Sequence, residues 1–194
     1  MELIAAALSL NSIFAGYDEA ILGLMHRLAV SLGVVLTPLC KLVTLLGEKG
    51  LIFFAAAVAL MLFPRTRKAG VCMFGAVCCG ALITNVILKD MVARPRPFET
   101  VPLFREFWEY VGAPAEDGYS FPSGHVTACA AGMTAITLMR GKKWLVPSVI
   151  IVLVMGISRN YLMAHYPSDV LAAAIIGILS AIIAYAITLL IFRL

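Results

Sequence analysis

Charged residues are scarce in this chain: Asp, Glu, Lys and Arg make up 13% of its 194 residues, about half the share usual for a globular protein. The net charge of +4 is small, and the 15 cations form no continuous basic stripe, which argues against nucleic acid as a partner. Histidine is scarcer still, with three. Cysteine is present but without pattern. Cys40, Cys72, Cys78, Cys79 and Cys129 lie in apolar surroundings and show no paired metal-ligand spacing, so they read as small apolar packing residues. The first residues lack the cationic stretch of a secretory signal, Glu2 being their only charge, and a cleaved leader is not expected. No internal repeat or low-complexity stretch is present.

Apolar sequence fills the space that charge leaves. The hydrophobic share is 62% and the mean hydropathy +0.98. Val170 to Phe192 is a run of 23 residues without a charge, enough to cross a hydrocarbon core of about 30 Å. A soluble protein can bury one such helix but not several. The expected fold is therefore all-α, a polytopic membrane helical bundle in a single domain over 1–194. Apolar runs at 51–64, 69–88, 123–139, 144–163 and 170–192 predict five spans. Residues 51–194 form the expected catalytic core, with 1–50 as a separate N-terminal region.

That N-terminal region is ambiguous. Ile21, Leu24, Met25 and Leu28 repeat at helical spacing, with Glu19 and His26 opposite and Asp18 and Arg27 at the flanks. The pattern predicts an amphipathic helix lying on the membrane surface. Residues 31–47 read either as a crossing or as a dip into one leaflet, and 1–16 as a short span, so a sixth span stays open. His26 reads as a polar interface residue, and Trp108, Tyr110 and Trp144 as interfacial aromatics.

Short loops give the orientation. Arg65, Arg67 and Lys68, then Arg140, Lys142 and Lys143, and finally Arg193 fall on one side of a five-span chain. By the positive-inside rule that side is cytoplasmic. The predicted location is a bacterial plasma membrane, with 89–122 and 159–169 on the outer side.

Three segments on that side hold the chemistry: 89–97, 122–125 and 158–169. Lys89, Arg96, Arg159, His125, His165 and Asp169 all fall at one membrane depth, and ionisable groups near apolar spans are functional candidates by default. Three converging cations call for a polyanion such as phosphate, which Arg grips with a planar fork and Lys with a point charge. Pro122 fits a helix's first turn, where Ser123 and Gly124 present a hydroxyl and backbone N–H groups to an anion. Two histidines supply a neutral imidazole to attack and a protonated one to donate to the leaving oxygen. Pro167 opens the last helix and places Asp169 in its first turn, where a carboxylate can orient His165. The acids of the 98–121 loop (Glu99, Glu106, Glu109, Glu116 and Asp117) form the expected pocket rim.

In order and spacing these residues match the signature Lys-x6-Arg-Pro, Pro-Ser-Gly-His and Ser-Arg-x5-His-x3-Asp. The chain thereby resembles the type 2 phosphatidic acid phosphatase superfamily, over 89–169. The resemblance implies that Lys89, Arg96, Arg159, Ser123 and Gly124 bind phosphate. It further implies that His125 protonates the leaving group, that His165 forms a phosphohistidine and that Asp169 orients it. No metal or cofactor is implied. Arg94 makes a second Arg-Pro pair and has two readings, a contact to a second phosphate or an anchor in the headgroup layer.

Two histidines and one carboxylate also suit a facial metal triad, but three neighbouring cations would repel a divalent ion. An anion transporter gives no reason for the His165–Asp169 spacing. A lipid phosphotransferase shares the same chemistry with a different acceptor. The expected substrate is a lipid phosphate or diphosphate, undecaprenyl diphosphate first, with phosphatidylglycerophosphate or phosphatidate as alternatives.

Overall fold

The computed structural model describes residues 2–193, with side chains from residue 7 onward, and every described regular element is helical. Met1, where the possible short span was expected to begin, lies outside the described residues. The N-terminal region does not divide as expected: Glu2–Leu46 is one helix, α1, running through Pro38. At 1.5 Å per residue its 45 residues reach roughly 68 Å, far more than a bilayer core requires. The 18–30 stretch is the middle of that helix and not a helix of its own. Leu22, Met25 and Ala29 are buried against Phe104, Val111, Leu162 and Tyr166, while Leu24 of the predicted stripe stays exposed, so the face covered by protein is turned from the predicted one. His26 stacks on Phe107 with ring centroids 3.8 Å apart.

Lys49 and Gly50 adopt positive φ values of 49° and 69° and end the helical run; α2, Leu51–Met61, follows. Helix α3, Arg67–Ala81, continues through a π-helical stretch, Leu82–Leu88, into α4, Lys89–Val92. Such wide turns recur at functional sites. Here the stretch carries Asn85 and delivers Lys89 to the wall of a cavity. The expected 98–121 rim begins with two short helices, α5 (Pro97–Thr100) and α6 (Pro102–Tyr110), each opened by the proline that suits a first turn. Within it Trp108 is half-buried, stacks on Phe98 and donates its Nε1–H to the Pro114 carbonyl at 3.1 Å. It serves the fold of the rim. Three longer helices complete the chain: α7 (Gly124–Arg140), α8 (Leu145–Tyr161) and α9 (Pro167–Phe192).

Four segments are long and apolar enough to cross a membrane: Ala7–Met61, Arg67–Thr100, Lys142–Tyr161 and Pro167–Phe192. These four segments differ from the expected five spans in two places. Residues 51–64 do not stand alone, because α2 follows α1 through a single turn. Residues 123–139 form α7, whose 17 residues extend about 26 Å, and which packs at the centre against α3, α8 and α9. Small side chains permit that packing. A Cβ on Gly177 of α9 would lie 2.6 Å from the Thr127 carbonyl oxygen and 2.9 Å from the Ala131 nitrogen of α7, so the two backbones touch directly. Large aliphatics such as Val34, Ile150, Ile175 and Leu190 face outward, the arrangement a hydrocarbon solvent favours.

The basic loops gather at one end. Arg140 donates to the Arg65 carbonyl at 3.3 Å, and the Lys68 ammonium lies 5.5 Å from the Phe192 ring centre. The motif residues occupy the other end, around a cavity of about 690 Å³.

Candidate active site

Lys89, Arg96, Gly124, His125 and His165 all line this cavity, so sites far apart in sequence meet there. Each is delivered by a helix end: Lys89 opens α4, Arg96 caps α5, His125 lies in the first turn of α7, and His165 sits in the buried turn between α8 and α9. Arg159, in the last turn of α8, is fully buried behind the wall. Helix α7 begins at Gly124 with Ser123 as N-cap, so Pro122 precedes the helix and does not occupy its first turn.

Arg96 is both a ligand candidate and a fastener. It donates Nε–H to the Gly118 carbonyl at 3.0 Å, one Nη1–H to the Ala164 carbonyl at 2.8 Å and Nη2–H to the Asp117 carbonyl at 2.6 Å. Those bonds tie the rim to the His165 turn. Its Nη1 also lies 3.2 Å from a Glu116 oxygen. The other Glu116 oxygen contacts Arg159 Nη2. One carboxylate therefore bridges both guanidinium groups. Arg159 Nε and Nη1, Ser123 Oγ and His125 Nε2 are buried without a hydrogen-bond partner among the described residues. Buried donors of this kind are costly to leave open, and all belong to the predicted phosphate and proton-transfer set. His125 Nε2 is 3.4 Å from Glu48.

His165 is buried, and its Nδ1 lies 2.7 Å from the Ser120 carbonyl oxygen. A carbonyl can only accept, so Nδ1 carries the hydrogen and Nε2 keeps its lone pair. Burial, then the charges of Arg159, Arg96 and Lys89, hold the imidazole well below its ordinary range. That direction favours the neutral imidazole.

The expected carboxylate partner is one step removed. Asp169 Oδ2 is 3.9 Å from His165 Nδ1. It accepts the Ser120 hydroxyl and, at 3.0 Å, the Tyr166 backbone N–H. Ser120 joins the two, with its hydroxyl on Asp169 and its carbonyl on His165. Arg94 is corrected: it lines not this cavity but a smaller one, of about 260 Å³, together with Asn11, Asp18 and Tyr166. It is fully buried, with Nε donating to Asn11 at 2.8 Å, Nη1 to Ser168 at 2.8 Å and to Asp169, and Nη2 to Asp18 at 2.9 Å.

Sequence reasoning missed Ser120, and it placed Asp18 and Glu116 only as a helix flank and a rim acid. Glu116 carried a faint signal, an acid among few in a chain with clustered cations. Ser120 carried none. Lys41 and Lys49 also line the cavity, both outside the motifs and both without an ion-pair partner among the described residues.

A sequence profile of the PAP2 superfamily matches residues 69–193. The chain is 28% identical over 127 residues to an undecaprenyl-diphosphatase of Sulfolobus acidocaldarius, a match covering 65% of this chain and 58% of that protein. It thus spans less than two thirds of that relative. It is 29% identical to undecaprenyl-diphosphatase BcrC of Bacillus subtilis, with 83% and 77% covered. Among solved structures, a PAP2-type phosphatidylglycerolphosphate phosphatase from Bacillus subtilis superposes with a TM-score of 0.70 at 22% identity, over 95% of this chain and 91% of that one. The last likeness bears on the fold alone.

Proposed function

Since the chain belongs to the PAP2 superfamily, we propose that it is a membrane lipid phosphatase working through a phosphohistidine at His165. The observation that carries the assignment is the His165 tautomer. Its Nδ1–H is committed to Ser120, which leaves the Nε2 lone pair for phosphorus, in a cavity also lined by Lys89, Arg96 and His125.

In the first step Nε2 attacks phosphorus and the bond to the leaving oxygen breaks, with His125 giving that oxygen its proton. Lys89, Arg96, Arg159, Ser123 and the backbone N–H of Gly124 take the charge on the phosphoryl oxygens. In the second step water attacks the phosphohistidine, neutral His125 accepts the water's proton, and inorganic phosphate leaves. Asp169 acts through Ser120 and fixes the imidazole.

The proposed substrate is undecaprenyl diphosphate or a shorter polyprenyl diphosphate, cleaved to the monophosphate. Two relatives carry that activity in their names, and Lys41 and Lys49 add two cations to the cavity wall beyond the motif. These lysines replace Arg94 as partners for the second phosphate. The leaving group is then a phosphate monoester, better than the alkoxide a phosphomonoester would release. The site lies at helix ends, so the lipid tail stays in the bilayer, sparing about 0.8 kcal/mol of exposure per CH₂. The proposed setting is a plasma membrane with the cavity facing outward.

A phosphate-release panel tests this, with purified enzyme on polyprenyl diphosphate, phosphatidylglycerophosphate and phosphatidate. The diphosphate should be cleaved fastest. A Lys41→Ala/Lys49→Ala double variant should raise KM about tenfold for it and threefold or less for the monophosphates. A tenfold preference for phosphatidylglycerophosphate in kcat/KM would refute the substrate and spare the catalytic roles.

A further inference from the structure

Arg94 and Asp18 form a buried ion pair that the chemistry above does not use. Asp18 Oδ2 accepts from Arg94 and from the Ser168 hydroxyl at 2.7 Å, while Oδ1 accepts the Ser168 backbone N–H at 2.8 Å. Asp18 thus caps the first turn of α9 from another helix, α1. The Arg94 guanidinium has partners on all three nitrogens and lies 3.8 Å from the Tyr166 ring centre. It links Asp18 of α1 to Asp169 of α9. Its own backbone carbonyl accepts the Ser120 N–H at 2.7 Å.

Ser120 is therefore fixed at three points, through its N–H, its hydroxyl and its carbonyl, and the carbonyl is the one that sets the His165 tautomer. A fully satisfied buried polar network specifies one geometry, and it becomes costly when one member is lost.

We propose that Asp18 and Arg94 are positioning residues for His165, acting through Asp169 and Ser120. The proposal rests on the reading of His165 as the nucleophile. It brings α1 into the catalytic apparatus, although the superfamily match begins only at residue 69. Residues 51–194 then do not make the site alone. Because Arg94 does not line the catalytic cavity but a separate, smaller one, it acts on the rate and not on substrate binding.

Arg94→Ala should lower kcat about 10- to 100-fold, per active site titrated by trapped phosphoenzyme, with KM within threefold. Arg94→Lys should recover part of the loss. Asp18→Asn, nearly isosteric, covers the case in which Arg94→Ala fails to fold, and should lower kcat about tenfold with the same unchanged KM. A raised KM with kcat intact would make Arg94 a substrate ligand, and unchanged kcat in both variants would make the network structural only. Both outcomes overturn the proposal.

Imidazole ¹⁵N spectra of the detergent-solubilised protein, which has three histidines, give a readout that does not depend on turnover. His165 should be a single Nδ1–H tautomer in the parent chain and a mixture in Asp18→Asn. An inactive parent enzyme that still showed this change would refute the phosphatase reading and uphold the network. An active one with an unmoved tautomer would do the reverse.

Discussion

The two histidines line one cavity, but they must carry opposite protonation states, and that separates their expected defects. His165 has to be neutral to attack. Burial and three cations hold it below the ordinary imidazole range, so the proton that silences it binds only at acid pH. The acid limb of kcat/KM should therefore fall below about pH 6.5, the value of a free imidazole. Burial, then the charges of Arg159, Lys89 and Arg96, push His125 down to about 3. It therefore carries its proton only once a bound phosphate anion offsets those cations, and the alkaline limb of kcat reports loss of that proton. His165→Ala should abolish both turnover and the trapped phosphoenzyme. His125→Ala should cost about 10²–10⁴-fold on a lipid substrate and much less on p-nitrophenyl phosphate, whose leaving group needs no proton. Equal losses on both would remove His125 from the acid role. Glu116 invites a second prediction. Its carboxylate bridges Arg96 and Arg159, where an incoming phosphate must compete with it. Glu116→Gln should tighten vanadate inhibition about 5- to 10-fold, roughly 1–1.4 kcal/mol; weaker inhibition would mean that Glu116 holds the arginines in place for the anion. The motif residues were legible because their types and spacings are fixed by chemistry. Ser120 was not, since it works through a carbonyl that every residue has. Arg94 was misjudged because two Arg-Pro pairs look alike in sequence, and only the fold turns one inward.

At the scale of elements, length and hydropathy marked α9 and most of α3 and α8 nearly to the residue. The same rules failed on α1, where Asp18, Glu19, Arg27 and Pro38 break up the apolar signal. Those residues mark places where the helix meets protein: Asp18 meets Arg94, and Leu22 and Met25 meet the rim. A partner elsewhere in the chain, invisible to local periodicity, makes the polar face tolerable. The π-helical turn before Lys89 was equally unreadable, because its contacts are tertiary: within it Thr84 is buried and hydrogen-bonds Thr127 of α7 at 3.0 Å. Contact between α7 and α9 yields the prediction at this scale. Gly177→Ala places a methyl against the backbone of α7, where no side chain can swing aside. Overpacking of this type costs about 1–3 kcal/mol. The variant should lose several degrees of thermal stability in detergent, with activity falling in step because Ser123 and His125 ride on α7. Gly16→Ala, with no atom within 4 Å of the added carbon, is the control and should be neutral.

Viewed whole, the molecule is polar at two ends for two different reasons. One end carries Arg65, Lys68 and Arg140 in short loops, where Arg140 contacts the Arg65 carbonyl and Lys68 approaches the C-terminal helix. These cations have no acidic partner there among the described residues, so they are free to report orientation. The other end also carries cations, yet Arg96 and Arg159 are spent on Glu116 and Arg94 on Asp18 and Asp169. Paired and buried charges should weigh little in the insertion bias, which counts mobile positive loops. The proposed orientation, with basic loops in the cytoplasm and the cavity outside, discounts those arginines and has to outweigh Lys41, Lys49 and Lys89, which line the cavity. A chain stripped of its five cysteines and given one at Glu109 or at Lys142, both exposed, tests it. In intact cells an impermeant thiol reagent should label Glu109→Cys and spare Lys142→Cys until the membrane is opened. Labelling at 142 alone would invert the protein, place the cavity on the cytoplasmic face and require a substrate presented to the inner leaflet.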